Sequence, residues 1–192
     1  MAGYGFKAYN HKNQETVRCI AASGNSDQLG IGDAVVLVGS TTGSAAIGTD
    51  AAVPAVARGA ATGSLFGYIE SIEHASMDPF TPSRMYRPAS TACYLSVVVF
   101  KPSELYQIQA DGAMTLEDVG ENGLLATIAN CDSNTGLSTM VFSAASVATS
   151  QTAYQMTVMG AAPIGSNAIT DSTPDLLVRI NNIQAQPGFA GV

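Results

Sequence analysis

The stretch Tyr94-Leu95-Ser96-Val97-Val98-Val99-Phe100 decides the fold class of this chain. Its last four residues are β-branched or aromatic without a break, a pattern typical of a strand covered on both faces. In a second stretch, Tyr154-Gln155-Met156-Thr157-Val158, apolar and polar side chains alternate. That two-residue period is typical of a strand with one buried face. Both stretches indicate a chain built from β-strands.

Similar short runs recur along the chain. They are rich in β-branched or aromatic residues, are bounded by Gly, Pro, Asn, Asp or Ser, and cover residues 35–38, 65–72, 105–110, 124–129, 139–142 and 176–180. The dipeptides Asp111-Gly112 and Asn122-Gly123 favour hairpin turns. We therefore predict a mainly β fold, an antiparallel β-sandwich or β-barrel with long loops. It comprises an irregular N-terminal arm, residues 1–16, and a single β-rich domain, residues 17–192.

One short helix is predicted over residues 115–120. Thr115 can cap its N-terminus, and Glu117 and Asp118 suit the first turn, where the helix dipole favours negative charge. Gly120 is expected to end it. This is the best helical segment that the residue pattern offers.

The balance of acidic and basic residues excludes some classes of function. Of 192 residues, 15 are acidic and 8 basic, which gives a net charge of -7. A basic face that neutralises phosphates is therefore not expected, and nucleic acid is excluded as a partner. No run of about 18 apolar residues is present, so no membrane span is expected. The residues after Met1 do not have the pattern of a secretory signal.

The low charge content carries a second implication. Charged residues make up 12% of the chain, against about 25% in a typical soluble protein. One interpretation is simply a weakly charged soluble domain. The other is that partners cover much of the surface, because interface cores are depleted in charge. Strands rich in Ala and Gly also bury little apolar area, and oligomerisation can offset that.

Two irregular segments hold the candidate partner-binding residues. The N-terminal arm is either a frayed terminus or a docking element, and residues 74–90 form either an ordinary cross-over loop or a docking loop. Aromatic and Met side chains are enriched at interface cores, so the predicted anchors are Tyr4, Phe6, Tyr9, Met77, Phe80, Met85 and Tyr86. Arg84 and Arg87 could pair with a partner's carboxylates. Residues 40–63, almost wholly Ser, Thr, Gly and Ala, are a long loop or weak strands.

Residues that carry chemistry are sparse. His11 and His74 have no neighbouring His or Cys, so no metal site is predicted. Asp132, Asn134 and Gly136 lack the spacing of a calcium loop and are explained by a tight turn. There is no GxSxG motif, and we expect no catalytic residues, no cofactor and no enzymatic activity. Cys19, Cys93 and Cys131 form no CxxC pair, which indicates buried, reduced side chains and synthesis in a cytosol.

Three segments together resemble small structural proteins of tailed bacteriophages. They are Lys101-Pro102-Ser103-Glu104-Leu105-Tyr106-Gln107-Ile108-Gln109-Ala110-Asp111-Gly112, Asn134-Thr135-Gly136-Leu137-Ser138 and Asp175-Leu176-Leu177-Val178-Arg179-Ile180-Asn181-Asn182-Ile183-Gln184. In that family a proline-acid step leads into an aromatic-x-Ile-Gln strand, a threonine-glycine turn comes after it, and the closing strand ends in Ile-Asn-Asn-x-Gln. The resemblance spans roughly residues 95–186, and before residue 90 it is thin.

The resemblance implies a head decoration, or cement, protein on the capsid exterior of a virion, made in the host cytoplasm. Such proteins are β-rich, usually homotrimeric, and sit at three-fold or quasi-three-fold positions, where they brace the major capsid protein. The alternatives are a head-completion or tail-associated structural protein, distinguished by copy number, and a carbohydrate-binding β-sandwich. The absence of Trp counts against the last of these.

Overall fold

The computed structural model describes residues 3–10, 14–38, 53–73, 85–126, 129–148 and 154–184. Within these ranges the strands are β1 (Lys7–Ala8), β2 (Thr16–Ala21), β3 (Leu29–Gly30), β4 (Ala34–Leu37), β5 (Val56–Arg58), β6 (Gly67–Glu73), β7 (Tyr86–Arg87), β8 (Cys93–Val99), β9 (Tyr106–Gln109), β10 (Asn122–Gly123), β11 (Leu125–Ala126), β12 (Val141–Phe142), β13 (Met156–Ala161) and β14 (Asp175–Ile180). Two single-turn 3-10 helices span Leu116–Asp118 and Ala144–Ser146.

The described strands form two larger antiparallel sheets. Sheet A has the order β1-β9-β14-β13-β10, and sheet B has the order β2-β8-β6-β4-β5. Two small ribbons, β3-β7 and β11-β12, accompany them. The two sheets pack against each other, so the fold is the predicted mainly β sandwich rather than a closed barrel.

The main core lies between the sheets. Strands β13 and β14 turn Met156, Val158, Leu176, Val178 and Ile180 inward, all at most 1% exposed. Sheet B contributes Tyr68 and Val98 to the same cluster. An aromatic group joins the two layers, because the ring of Phe100 lies 5.0 Å from that of Phe6 and 4.8 Å from that of Tyr106. These edge-to-face contacts favour one fixed arrangement of the layers.

Sheet B has a second core on its other face. Leu95, Val97, Ile69 and Val35 are all fully buried there. The sheet is curled, because Ile20 of the β2 edge forms a parallel bridge with Ala55 and donates its N–H to Pro54 (2.9 Å) beside the β5 edge. The residues at the centre of β8 are therefore covered on both faces, as the unbroken apolar run predicts.

The N-terminal segment lies against the domain. Lys7 and Ala8 pair with Gln107 and Tyr106 at the edge of sheet A, and Phe6 is 1% exposed in the main core. Residues 3–10 of the predicted arm thus contribute a strand and a core residue, because the ring of Phe6 fills space between the layers, and the last arm residue, Thr16, begins β2.

Two predicted hairpin turns are wrong. Asn122 and Gly123 form β10, paired with Thr157 and Met156. Glycine is required there for packing, since a Cβ on Gly123 would lie 2.3 Å from the Phe142 ring. Asp111-Gly112 does not join paired strands either, because β9 pairs with β1 and β14, and the Asp111 N–H donates to Phe142 (2.9 Å).

The predicted short helix is a 3-10 turn. The Asp118 carboxylate accepts the Thr115 N–H at 2.6 Å and the Thr115 hydroxyl at 3.0 Å. The backbone leaves the turn at Gly120, whose φ of 93° is readily adopted by glycine. The turn holds the side chain of Leu116 on the surface, where it is 78% exposed.

Candidate functional site: the outer face of sheet A

Sheet A presents one face to the core and the other to solvent. Along β13 and β14 the inward residues are fully buried, and the residues between them point outward. The register of the five strands places these outward residues side by side. We call this surface the outer face; it consists of Lys7, Gln107, Asp175, Leu177, Arg179, Thr157, Met159 and Asn122.

An uncharged polar network crosses the outer face at β10, β13 and β14. The Thr157 hydroxyl lies 2.8 Å from Oδ1 of both Asn122 and Asn181. The Asn181 amide donates to Asn122 Oδ1 at 2.9 Å. The three side chains satisfy one another, so this part of the sheet is fixed without charges.

Apolar side chains lie beside this network. The register between β13 and β14 shifts from Val158 to Gly160, so Met159 is a bulged residue, and it is 39% exposed. The Gly120 N–H donates to the Val158 carbonyl at 2.8 Å, which holds the 3-10 turn next to Met159. That turn exposes Leu116 and Val119, the latter 43% exposed. The outer face therefore has an apolar margin on its β10 side.

Tyr4 fixes the opposite margin. Its hydroxyl donates to the Asp175 carboxylate and accepts from the Gln107 amide at 2.7 Å. Burial, together with Asp175, raises the pKa of Tyr4 well above its ordinary value, so the hydroxyl stays protonated and remains a donor. The Lys7 ammonium lies 3.8 Å from the centroid of the Tyr4 ring. These contacts tie the N-terminal segment to β9 and β14.

The predicted anchors are not brought together in one place. Tyr4 borders the outer face, whereas Phe6 is buried in the core, so its side chain is not available to a partner in this fold. Tyr9 is half-buried, and its N–H donates to Leu105 (3.2 Å). Met85 is 55% exposed and Tyr86 is half-buried in the β3-β7 ribbon. Met77 and Phe80 lie outside the described residues, and the contact role of the whole set stays a prediction.

Arg87 is buried rather than free to meet a partner's carboxylates. Its guanidinium donates to the carbonyls of Thr91 (2.7 Å), Ala22 (2.7 Å), Asn25 (2.9 Å) and Asp27. Burial lowers the pKa of Arg87 from its ordinary value. The side chain thus organises the loop that precedes β3, which no short motif in the sequence indicates. Arg84 lies outside the described residues.

Asp33 is a second buried charge with a structural role. Its carboxylate accepts the Gly30 N–H at 2.8 Å and the Ser138 hydroxyl at 2.5 Å. Burial raises the pKa of Asp33 to about 6, although both hydrogen bonds and the charge of Arg58 act in the opposite direction. The carboxylate joins the β3-β4 turn to the segment before β12.

The other sequence features that could carry chemistry have a place in the packing or the turns of the described residues. The Asp132 carboxylate accepts the Asn134 N–H at 2.9 Å, and the Asp132 carbonyl accepts the Gly136 N–H at 2.7 Å, which confirms a tight turn. The three cysteines are buried and free, and burial raises the pKa of each thiol, that of Cys93 to about 11. Within the described ranges, no group of His, Cys, Asp or Glu is arranged to hold a metal ion. His11 and His74 lie outside those ranges.

Sequence reasoning did not find the outer face. The alternation in β13 and β14 could have indicated that Thr157, Met159 and Arg179 share one side. What it could not supply is the order of the strands, which brings β1 and β10 to the two edges of the same sheet.

Comparison with protein-family models, with curated proteins and with solved structures finds no match. The residues that the structure describes include no helix of the length and apolar character needed to cross a membrane.

Proposed function

We propose that this chain is a structural virion protein that binds the outside of a tailed-phage capsid and stabilises the lattice of the major capsid protein. It acts without enzymatic activity, as a homotrimer at three-fold or quasi-three-fold positions. The observation that carries the proposal is the outer face of sheet A, a β surface turned away from the core, with the exposed apolar side chains Met159, Leu116 and Val119 at its margin. Such a margin suits contact with other proteins, because interface cores are enriched in Met and apolar side chains.

The segments that carry the phage resemblance support the proposal. Two of them contain β9 and β14, which pair from Asp175 opposite Gln109 to Val178 opposite Tyr106. The third, residues 134–138, contacts the turn between β3 and β4 through a parallel bridge between Ile31 and Leu137. Two of the three segments that carry the resemblance therefore belong to the framework of sheet A.

The chemistry of the exposed side chains also favours a protein partner. Among the described residues, the large apolar side chains on the surface are Val38, Met85, Leu116, Val119, Met159 and Ile164. Aliphatic and Met side chains bury well against protein, whereas sugar recognition uses the faces of aromatic rings. Bracing a lattice requires many weak contacts formed at once, and several linked copies gain affinity through effective concentration.

The test is to count the chain in purified particles of the phage that encodes it. Quantitative mass spectrometry should find it in numbers comparable with the major capsid protein. Particles that lack the chain should lose their DNA at lower temperature, and the purified chain should restore that stability. Detection at far lower copy number would favour the head-completion or tail-associated alternative. Absence from particles would contradict both.

A further inference from the structure

The 3-10 turn that precedes β10 holds two apolar side chains in solvent. Leu116 is 78% exposed and Val119 is 43% exposed, and Leu116 is the most exposed large apolar side chain in the described part of the chain. Such a side chain gains little from folding, because most of its surface stays in contact with water. Burial against another protein would recover that free energy. We call residues 115–121 the Leu116 turn.

The Leu116 turn is fixed at both ends. Where the chain enters it, the Met114 N–H donates to the Ile169 carbonyl at 3.1 Å, and the Met114 side chain is buried in the main core. Where the chain leaves it, the Gly120 N–H donates to the Val158 carbonyl at 2.8 Å, and the Val158 N–H donates to the Glu121 carbonyl at 2.9 Å. A turn held in this way loses little conformational freedom when a partner binds, so its exposed side chains are well suited to a contact.

The charges next to these apolar side chains in the sequence are all negative. Within the turn, Glu117 is exposed, and Asp118 and Glu121 are half-buried. Between residues 102 and 178 the sequence contains eight acidic residues and no Lys, Arg or His. This segment supplies the Leu116 turn and the strands from β9 to β13. A partner that contacts the turn therefore meets apolar side chains accompanied by negative charge.

We propose that the Leu116 turn is the part of the chain that contacts the capsid, at a site where an apolar depression is bordered by Lys or Arg side chains. The inference rests on the proposed function for the identity of the partner. Leu116 and Val119 supply the apolar area that is buried, as the centre of an interface requires. Glu117 faces the basic border, which favours this partner over one with acidic surroundings.

A second copy of the chain is a poorer match for the Leu116 turn. Such a partner would have to offer basic side chains, but Arg58 and Arg87 are buried. Arg18 lies 2.8 Å from the carboxylate of Glu73. The described part of the chain thus has little basic surface with which to meet the turn. A different protein is not limited in this way.

The experiment measures binding of the full chain to purified phage particles that lack it, by co-sedimentation over a range of chain concentrations at low and high salt. We expect Leu116→Ser to weaken binding about tenfold or more, because it removes the main apolar contact. Val119→Ser should cause a smaller loss, since this side chain is less exposed. Glu117→Lys should weaken binding about tenfold at low salt by setting like charges against each other. High salt should reduce that effect, because it screens the charges.

Two control variants match these changes on sheet B. Val38→Ser, at the end of β4, removes an apolar side chain that is 38% exposed, close to the 43% of Val119. Glu70→Lys makes the same charge change as Glu117→Lys at an exposed residue of β6. Both should bind like the unmodified chain. Thermal melts of every variant verify that each is folded.

The outcomes separate this inference from the proposed function. A salt-sensitive loss of binding confined to the variants of the Leu116 turn supports both. Binding that the Leu116 and Glu117 variants leave unchanged, or that the controls weaken equally, overturns the inference and leaves the proposed function standing. An unmodified chain that does not bind the particles contradicts the proposed function and the inference with it. Light scattering of the chain alone adds one more outcome: self-association that Leu116→Ser abolishes would assign the turn to a contact between copies and overturn the inference.

Discussion

The exposed arginines of sheet A and sheet B differ in whether they have a charged partner among the described residues. On sheet B, Arg18 donates to both oxygens of Glu73 at 2.8–3.2 Å, and its guanidinium lies 3.9 Å from the centroid of the Tyr94 ring. On sheet A, Arg179 stands beside an uncharged network of Asn and Thr side chains and forms no ion pair with a described residue. Among the described residues, the side chain of Arg18 on sheet B has a charged partner, whereas that of Arg179 on sheet A has none.

The proposed function places recognition on a surface separate from the side chains that hold the fold. The side chains that hold the fold lie between the sheets and under the loops beside sheet B, where Phe100, Arg87 and Asp33 are at most 1% exposed. Substitutions should therefore separate into those that unfold the chain and those that change only what it binds.

The largest effect is expected from Phe100→Ala. The ring contacts Phe6, Tyr68 and Tyr106, and its removal leaves a cavity between the sheets. We expect a loss of about 3–5 kcal/mol in the free energy of unfolding, measured by urea denaturation. The matched control Leu116→Ala removes a side chain that is 78% exposed, and it should change stability by less than about 0.5 kcal/mol. Equal effects would contradict the assignment of the core.

The next largest loss of stability is expected when the buried Arg87, rather than the exposed Arg179, is replaced. Arg87→Gln leaves buried carbonyls of the loop before β3 without a donor, and we expect a loss of about 3 kcal/mol. The control Arg179→Gln should leave the denaturation midpoint within error of the unmodified chain. If Arg87→Gln proved as mild as the control, the loop would not depend on the guanidinium.

Stability should also depend on the protonation of Asp33. The folded chain raises the pKa of Asp33 to about 6 from an ordinary 3.8, so folding favours the protonated form. This contribution is complete below pH 3.8 and is lost as pH rises through about 6, which corresponds to about 2–3 kcal/mol. Asp33→Asn should remove this component. The check is the difference between the two stability profiles from pH 4 to pH 8, and parallel profiles would refute the assignment.

The smallest loss of stability tests the difference between Arg18 on sheet B and Arg179 on sheet A. Arg18→Gln removes a bidentate pair whose side chains are 47% and 44% exposed, and such pairs contribute at most about 1 kcal/mol. We expect a loss below that value, and smaller still in 1 M NaCl because salt screens the pair. Arg179→Gln, measured in parallel, should show neither the loss nor the salt dependence. A salt-dependent loss for Arg179 would mean that sheet A also satisfies its charge internally.

Local patterns were sufficient for the strands that form the centre of each sheet. The apolar run of β8 and the alternation of β13 reflect which faces of each strand are buried, and this pattern can be read directly from the residue types. Strand β2 escaped prediction because Arg18 and Cys19 interrupt its apolar pattern, and its identity depends on pairing with β8. Strand β10 was taken for a turn because Asn-Gly favours one. Its pairing with β13, and the Phe142 ring over Gly123, outweigh that preference.

The candidate site was harder to predict because it is defined by distant parts of the chain. Aromatic residues in the N-terminal segment indicated contacts, but Phe6 makes them inside the domain and Tyr4 makes them with Asp175. The outer face combines strands from both ends of the sequence, and only the sheet order places Arg179 between Lys7 and Asn122. Residue type alone cannot show which of two sheet faces remains open.

The bulge at Met159 has a consequence for how the sequence can diverge. Val158 lies opposite Val178 and Gly160 lies opposite Leu177, so pairing on each side of Met159 is maintained independently. A chain that lost this one residue could keep the same ladder of hydrogen bonds and the same interior, while its surface lost a protruding thioether. Length variation at this point would therefore alter the surface of sheet A without rebuilding the domain.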